Sequence, residues 1–158
     1  MIQFFAAGRA EPKGSTRAFV QHGRAIVTND NPKAKAWARV VSLRAREAMQ
    51  GRAPMAGPMR IALTFYLERP RYHYRTGRYS HLFKPSAPLF PDVLPDGDKL
   101  ERCTWDALTG IVWLDDGQVV RWRGGKEYAD ATHPPGVVVM VEAIGAYRED
   151  GVREVDGT

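Results

Sequence analysis

The stretch Pro91–Val120, PDVLPDGDKLERCTWDALTGIVWLDDGQVV, decides how the rest of the chain is read. It holds Asp92, Asp96, Asp98, Glu101, Asp106, Asp115 and Asp116 against only Lys99 and Arg102, a local charge of −5 in a chain whose net charge is +5. An acidic centre repels anions unless a cation sits in it, whereas a basic surface draws polyanions. The combination points to carboxylates that hold a divalent metal and present it to a nucleic acid. Mg²⁺ or Mn²⁺ takes oxygen ligands and keeps waters that can be activated for attack. The plainer alternative is that these acids only cap a helix and shape turns, since carboxylates are favoured at helix N-termini and Asp-Asp-Gly is turn chemistry.

Within the stretch, Asp96–Leu108 is expected to be a helix with Leu100, Cys103, Ala107, Leu108 and Ile111 along its apolar stripe. Thr109-Gly110 ends it. Ile111–Leu114 reads as a short strand, Asp115-Asp116-Gly117 as a turn, and Gln118–Arg123 as a strand with Val119 and Trp122 inward, continued by Lys126–Ala129. On this reading the helix leads away from Asp96 and Asp98 and the short strand leads back, so that Asp116 joins them. Lys99 or Arg102 would then stabilise the charge developing on a scissile phosphate.

Upstream, Ile2–Ala6 reads as a strand and Gly8–Arg17 as a polar loop. Lys13-Gly14-Ser15-Thr16 is not a phosphate loop, because the glycine spacing before the lysine is wrong. Lys13 and Arg17 remain candidate phosphate contacts. Ala18–Val20 and Ala25–Val27 flank Gln21–Arg24 as a hairpin, and Asn31-Pro32 has the form of a helix start. That helix runs to about Met49 with Ala34, Trp37, Val41, Ala45 and Ala48 on one face. Met59–Leu67 alternates apolar and polar as a half-buried strand. Val137–Ile144 is a strongly apolar strand expected at the centre of the sheet.

Between these lies a long loop, residues 69–91, with Arg69, Arg71, Arg75, Arg78 and Lys84 interleaved with Tyr72, Tyr74, Tyr79 and Phe83. Cations for phosphates beside aromatic faces for unstacked bases make a nucleic-acid-binding composition. Lys126 joins them as a candidate contact.

A chain of 158 residues with 44% hydrophobic and 26% charged content is expected to form one soluble domain, α+β in class, with a mixed, mainly antiparallel sheet and two main helices. Residues 1–145 make up the domain and 146–158 a polar tail. The single Cys103 excludes an internal disulfide and a thiolate-cluster zinc site, and suits a reducing cytoplasm. No apolar run reaches membrane-spanning length, so no membrane partner is expected, and the N-terminus reads as a first strand rather than a signal peptide.

Taken together, D-G-D-K-L-E-R at 96–102, D-A-L-T at 106–109 and W-L-D-D-G-Q-V at 113–119 resemble the signature of the RusA family of Holliday-junction resolvases. The resemblance implies helices packed on one face of the sheet, with Asp96, Asp98 and Asp116 as the metal-binding catalytic acids. Asp115 would be a neighbour and Asp106 auxiliary. Two positions depart from the family pattern: Lys99 stands where asparagine is usual and Arg102 where lysine is usual, so either supplies the catalytic cation. The 69–91 loop is also longer than its counterpart in the family. What the resemblance implies is a homodimeric, Mg²⁺-dependent endonuclease that cuts four-way DNA junctions symmetrically, in the cytoplasm of a bacterial or phage-infected cell. The alternative on the same fold is a non-catalytic or differently specific branched-DNA-binding protein.

Overall fold

The computed structural model describes residues 1–14, 16–29 and 31–145, with the side chains of 16–21 and 25–29 left aside; the tail expected over 146–158 lies outside the described residues. The elements run β1 (Ile2–Ala7), β2 (Thr16–Gln21), β3 (Arg24–Asn29), α1 (Pro32–Met49), β4 (Met59–Leu67), α2 (Gly97–Leu108), β5 (Val119–Tyr128) and β6 (Gly136–Ala143).

Four strands form one sheet in the order β1-β6-β4-β5, and β2-β3 form a separate hairpin. The β1–β6 and β6–β4 pairs are antiparallel and β4–β5 is parallel, so the expected mixed, mainly antiparallel sheet is present. β6 lies between β1 and β4, as its apolar composition implied. Register puts Ile2, Val141 and Ile61 in one row, and Ala6, Val137 and Phe65 in another. All six are buried, whereas Gln3 and Arg60, which point the other way, are exposed. One face of the sheet therefore carries the core, and both helices cover that face.

α1 starts where Asn31 predicts. Its Oδ1 accepts from the Lys33 N–H at 3.1 Å, and its Nδ2 donates to Pro12 O at 2.9 Å, so the cap also anchors the N-terminal loop. The buried positions of α1 are Ala34, Trp37, Val41, Ala45 and Met49. Met49 takes the place expected for Ala48, which continues the spacing of four from Trp37. α2 buries Leu100, Cys103, Thr104, Ala107 and Leu108, and Ser42 Oγ of α1 donates to Ala107 O at 2.8 Å to join the helices. Burial pushes the Cys103 thiol up to about 11, with Asp106 adding to it, so this cysteine is an inert core residue.

Two expectations fail. Ile111–Leu114 is not a strand. It is a tight turn closing α2, in which Val112 N–H donates to Leu108 O at 2.9 Å and Gly110 N–H to Trp113 O at 2.7 Å. Val112 and Trp113 are fully buried under the core, which explains the apolar run without a period of two. Trp122 is not buried either. It is 61% exposed on the edge strand β5, with one side of its ring edge to face against Trp105 of α2 at 5.8 Å.

Candidate active site

The parallel β4–β5 pair fixes where the acids can lie. Parallel strands need a crossover that returns the chain to the starting end, and α2 with the turn after it is that crossover. The N-terminus of α2 therefore sits at the end of β4, and the residues before β5 sit at its start. Asp96 and Lys99 line a cleft of about 990 Å³ with Leu67, Arg69, Tyr128 and Ala129. At the opposite end, Gln118 Nε2 donates to Met55 O and Gly57 O, both at 3.1 Å, just before β4 begins.

Asp96 occupies the N-cap position of α2, yet its side chain makes no capping hydrogen bond. It pairs with Lys99 instead, Nζ to Oδ2 at 3.0 Å. That contact is the main cause holding the Lys99 ammonium above its ordinary value, so Lys99 is a fixed cation beside Asp96. The Leu94–Pro95 peptide that leads into Asp96 is cis. Asp98 follows in the first helical turn, exposed, where its charge is favoured. Arg102 is exposed one turn later. Among the described residues neither the Asp98 nor the Arg102 side chain makes a hydrogen bond or ion pair within the chain.

Glu101 was not anticipated as part of this surface. Its carboxyl, partly buried, is held above the usual carboxylate range by burial first and by Asp98 second. It lies directly over β5 at Gly124, where an added Cβ would overlap the carboxylate. The signal available in the sequence was its spacing of three from Asp98, which puts both on one helix face.

The Asp-Asp pair at 115–116 divides into two roles. Asp115 Oδ1 accepts from Gly117 N–H at 2.7 Å and shapes the 3₁₀ turn Asp116–Gln118. The Asp116 side chain is exposed and has no hydrogen-bond partner among the described residues. Gln118 is the keystone of this turn: besides its two donated bonds, its Oε1 accepts from Leu114 N–H at 2.9 Å and Asp115 N–H at 3.1 Å. Gln118→Ala removes all four. It should cost about 2 kcal/mol, from a net worth of about 0.5–1.5 kcal/mol per bond with water replacing part of the loss. Urea denaturation would measure this, and an unchanged midpoint would show that the side chain does not hold the turn.

The three acids implied by the resemblance thus divide. Asp96 and Asp98 are neighbours, and Asp116 is not with them. Among the described residues no three His, Cys, Asp or Glu side chains converge to hold an ion. The expected returning strand is absent, and β5 starts at the wrong end of β4 to carry Asp116 back.

The predicted DNA-contact residues also divide. Arg71, Arg75, Arg78 and Lys84 are exposed on the 69–91 loop. Arg69 is a structural clamp, with its guanidinium 3.9 Å from the Tyr128 ring and 4.5 Å from the Phe83 ring, and Nη1 donating to Pro88 O. Lys126 donates to Val93 O at 2.8 Å and Pro95 O at 3.1 Å, holding the approach to Asp96 against β5. Lys13 pairs with Asp106 at 2.5 Å. The Arg17 side chain lies outside the described residues. His73, which the loop's composition groups with the interleaved aromatic rings, is buried edge-on against Tyr72 and Tyr128, and pins the loop to β5.

Comparison with known proteins agrees with this arrangement of motifs. Residues 10–142 match the family model described as Endodeoxyribonuclease RusA. The chain belongs to the endodeoxyribonuclease RusA family. A curated relative, the uncharacterized protein YqaN of Bacillus subtilis (strain 168), is 25% identical over 145 residues, spanning 92% of this chain and 98% of its own length. The RusA match runs from the N-terminal loop into β6, so the α2 acids and the Asp116 turn both fall inside it.

Proposed function

We propose that this protein is a divalent-metal-dependent endonuclease that resolves four-way DNA junctions by phosphodiester hydrolysis, in DNA recombination or repair in the cytoplasm of a bacterial or phage-infected cell. The observation that carries the reading is the pair of carboxylates at the start of α2 in a family of endodeoxyribonucleases. Asp96 stands at the N-cap without capping, pairs with Lys99 and lines the cleft, and the Asp98 side chain beside it makes no hydrogen bond or ion pair among the described residues.

Mg²⁺ or Mn²⁺, when bound, polarises a phosphate and activates a water. Asp96 and Asp98 are hard oxygen donors of the right kind, and among the described residues no three such side chains converge on one point. Lys99, held protonated by Asp96, places a cation where a phosphate would sit. Arg102 offers a second cation one turn further along, with a planar fork rather than a point charge. The exposed Arg71, Arg75, Arg78 and Lys84 supply backbone contacts, and Tyr72 and Tyr79 supply stacking faces beside them.

The test compares an end-labelled synthetic four-way junction with a linear duplex of the same arms, in Mg²⁺, Mn²⁺ or EDTA. Paired symmetric nicks in the junction alone, abolished by EDTA, are expected. Equal cutting of both substrates would remove junction selectivity and leave a nuclease. Junction binding without cutting in either metal would favour a non-catalytic branched-DNA-binding protein.

A further inference from the structure

Strand pairing tells which way each β5 side chain points. Residues in register on neighbouring strands share a face. Trp122 and Lys126 therefore lie with Ile61 and Phe65 on the core side, where Trp122 meets Trp105 of α2 and Lys126 reaches Val93 O and Pro95 O. Arg121 is in register with Arg60, and Arg123 with Ala62. Both arginines thus stand on the opposite face, away from the core that α1 and α2 cover.

Both are exposed, and among the described residues neither side chain makes a hydrogen bond or ion pair. Arg60 beside them is paired with Glu142 at 2.6 Å, so the uncompensated charge of this corner belongs to Arg121 and Arg123. Glu127, the acid on the same face of β5, stands near the far end of the strand. The neighbouring positions on the face are small: Ala62 lies in register with Arg123, and Thr64 with Gly125. Its larger apolar side chains, Val138 and Met140, stand on β6. A broad partner can therefore approach the two guanidinium groups without meeting bulk.

Their spacing suits a phosphate backbone. Two residue steps on one face amount to about 6.6 Å at roughly 3.3 Å per step. Phosphates of one DNA strand advance about 3.4 Å each along the duplex axis, so both arginines can engage one backbone. Charges that only guard a sheet edge need no such alignment. The pair also follows directly on the Asp116–Gln118 turn, whereas the basic 69–91 loop is pinned by His73 to Tyr128 at the other end of β5. The chain carries two separate basic surfaces.

We propose that Arg121 and Arg123 form a second DNA-contact surface, which holds the phosphate backbone of a duplex arm against the open face of the sheet, apart from the loop around the Asp96 cleft. This deepens the nuclease reading above and rests on it for the identity of the polyanion.

The test is binding of the full chain to a labelled four-way junction and to a linear duplex, read by fluorescence anisotropy in EDTA so that it does not depend on cleavage. Arg121→Gln combined with Arg123→Gln should weaken binding to both DNAs by about tenfold at physiological salt, and should flatten the slope of log affinity against log salt by roughly two. A similar loss on both DNAs is expected because a duplex backbone carries no sign of the branch. Arg121→Lys combined with Arg123→Lys should keep most of the affinity and the slope, since the charge is what a phosphate contact needs.

Unchanged affinity and slope in a glutamine variant that melts like wild type would overturn the surface. So would a loss confined to the junction, which would place the contact at the branch point. A changed sedimentation coefficient in the absence of DNA would overturn it too, by making this face an interface between copies. If wild type binds DNA with these dependences and cuts nothing, the nuclease reading falls and the contact surface stands. If wild type cuts junctions and the glutamine variant binds them like wild type, the surface falls and the nuclease reading stands.

Discussion

Asp98→Asn is expected to lower the single-turnover cleavage rate by on the order of 10³-fold or more while junction affinity is unchanged or higher. The exchange keeps the side chain's shape and removes one negative charge. That charge is a donor for a divalent cation and, without one, repels the phosphate backbone. Asp98 is exposed and makes no hydrogen bond among the described residues, so its loss does not dismantle local structure. Losing a favourable first-turn charge costs about 0.3–1 kcal/mol, offset in part by relief of the repulsion with Glu101. Cleavage at the wild-type rate with a correctly folded variant would remove Asp98 from the chemistry. A variant that neither binds nor cuts would signal a structural role.

Phe65→Ala should produce the largest loss of stability among single core truncations in β4, about 3–5 kcal/mol. Phe65 is 1% exposed and stands between Val137 of β6 and Lys126 of β5, the point where the sheet's parallel and antiparallel halves meet. Removing the ring leaves a cavity that strands hydrogen-bonded on both sides cannot collapse to fill. For a domain of this size the melting temperature should fall by roughly 10 °C. The contrast is Arg60→Ala on the same strand. Its 2.6 Å ion pair with Glu142 lies on the open face, about half exposed, so its removal should cost less than about 1 kcal/mol. Comparable losses from the two substitutions would mean that the sheet's open face is covered by something else.

Much of the fold was legible because local chemistry fixes it. Asn31-Pro32 can start a helix and do little else, and the structure uses both residues that way. The alternation from Met59 to Leu67 and the apolar run of Val137–Ala143 place one buried strand beside another. His22 and Gly23 both take positive φ, 50° and 73°, in a two-residue turn within the Gln21–Arg24 link expected between the hairpin strands. The Asp96–Asp98 surface was legible for the same reason: two acids at a helix start, two positions apart, cannot be far from each other.

The failures share a cause, which is that they depend on neighbours distant in sequence. A four-residue apolar run reads the same in a strand and in a buried turn, and only the packing of Trp113 and Val112 under the core decides between them. Arg69 and Lys126 have the composition of DNA contacts. The rings of Tyr128 and Phe83 and the carbonyls of Val93 and Pro95 commit them to holding the loop. Trp122 looks like core until β5 proves to be the edge strand.

The sequence by itself determined most of the elements, the α+β class, the family and which acids are candidates for chemistry. Only the tertiary structure decided which of those acids share a place. Spacing of two along a helix start fixes Asp96 and Asp98 through covalent geometry. The position of Asp116 depends on whether β5 runs parallel or antiparallel to β4, and strand direction is set by long-range pairing that no local pattern encodes.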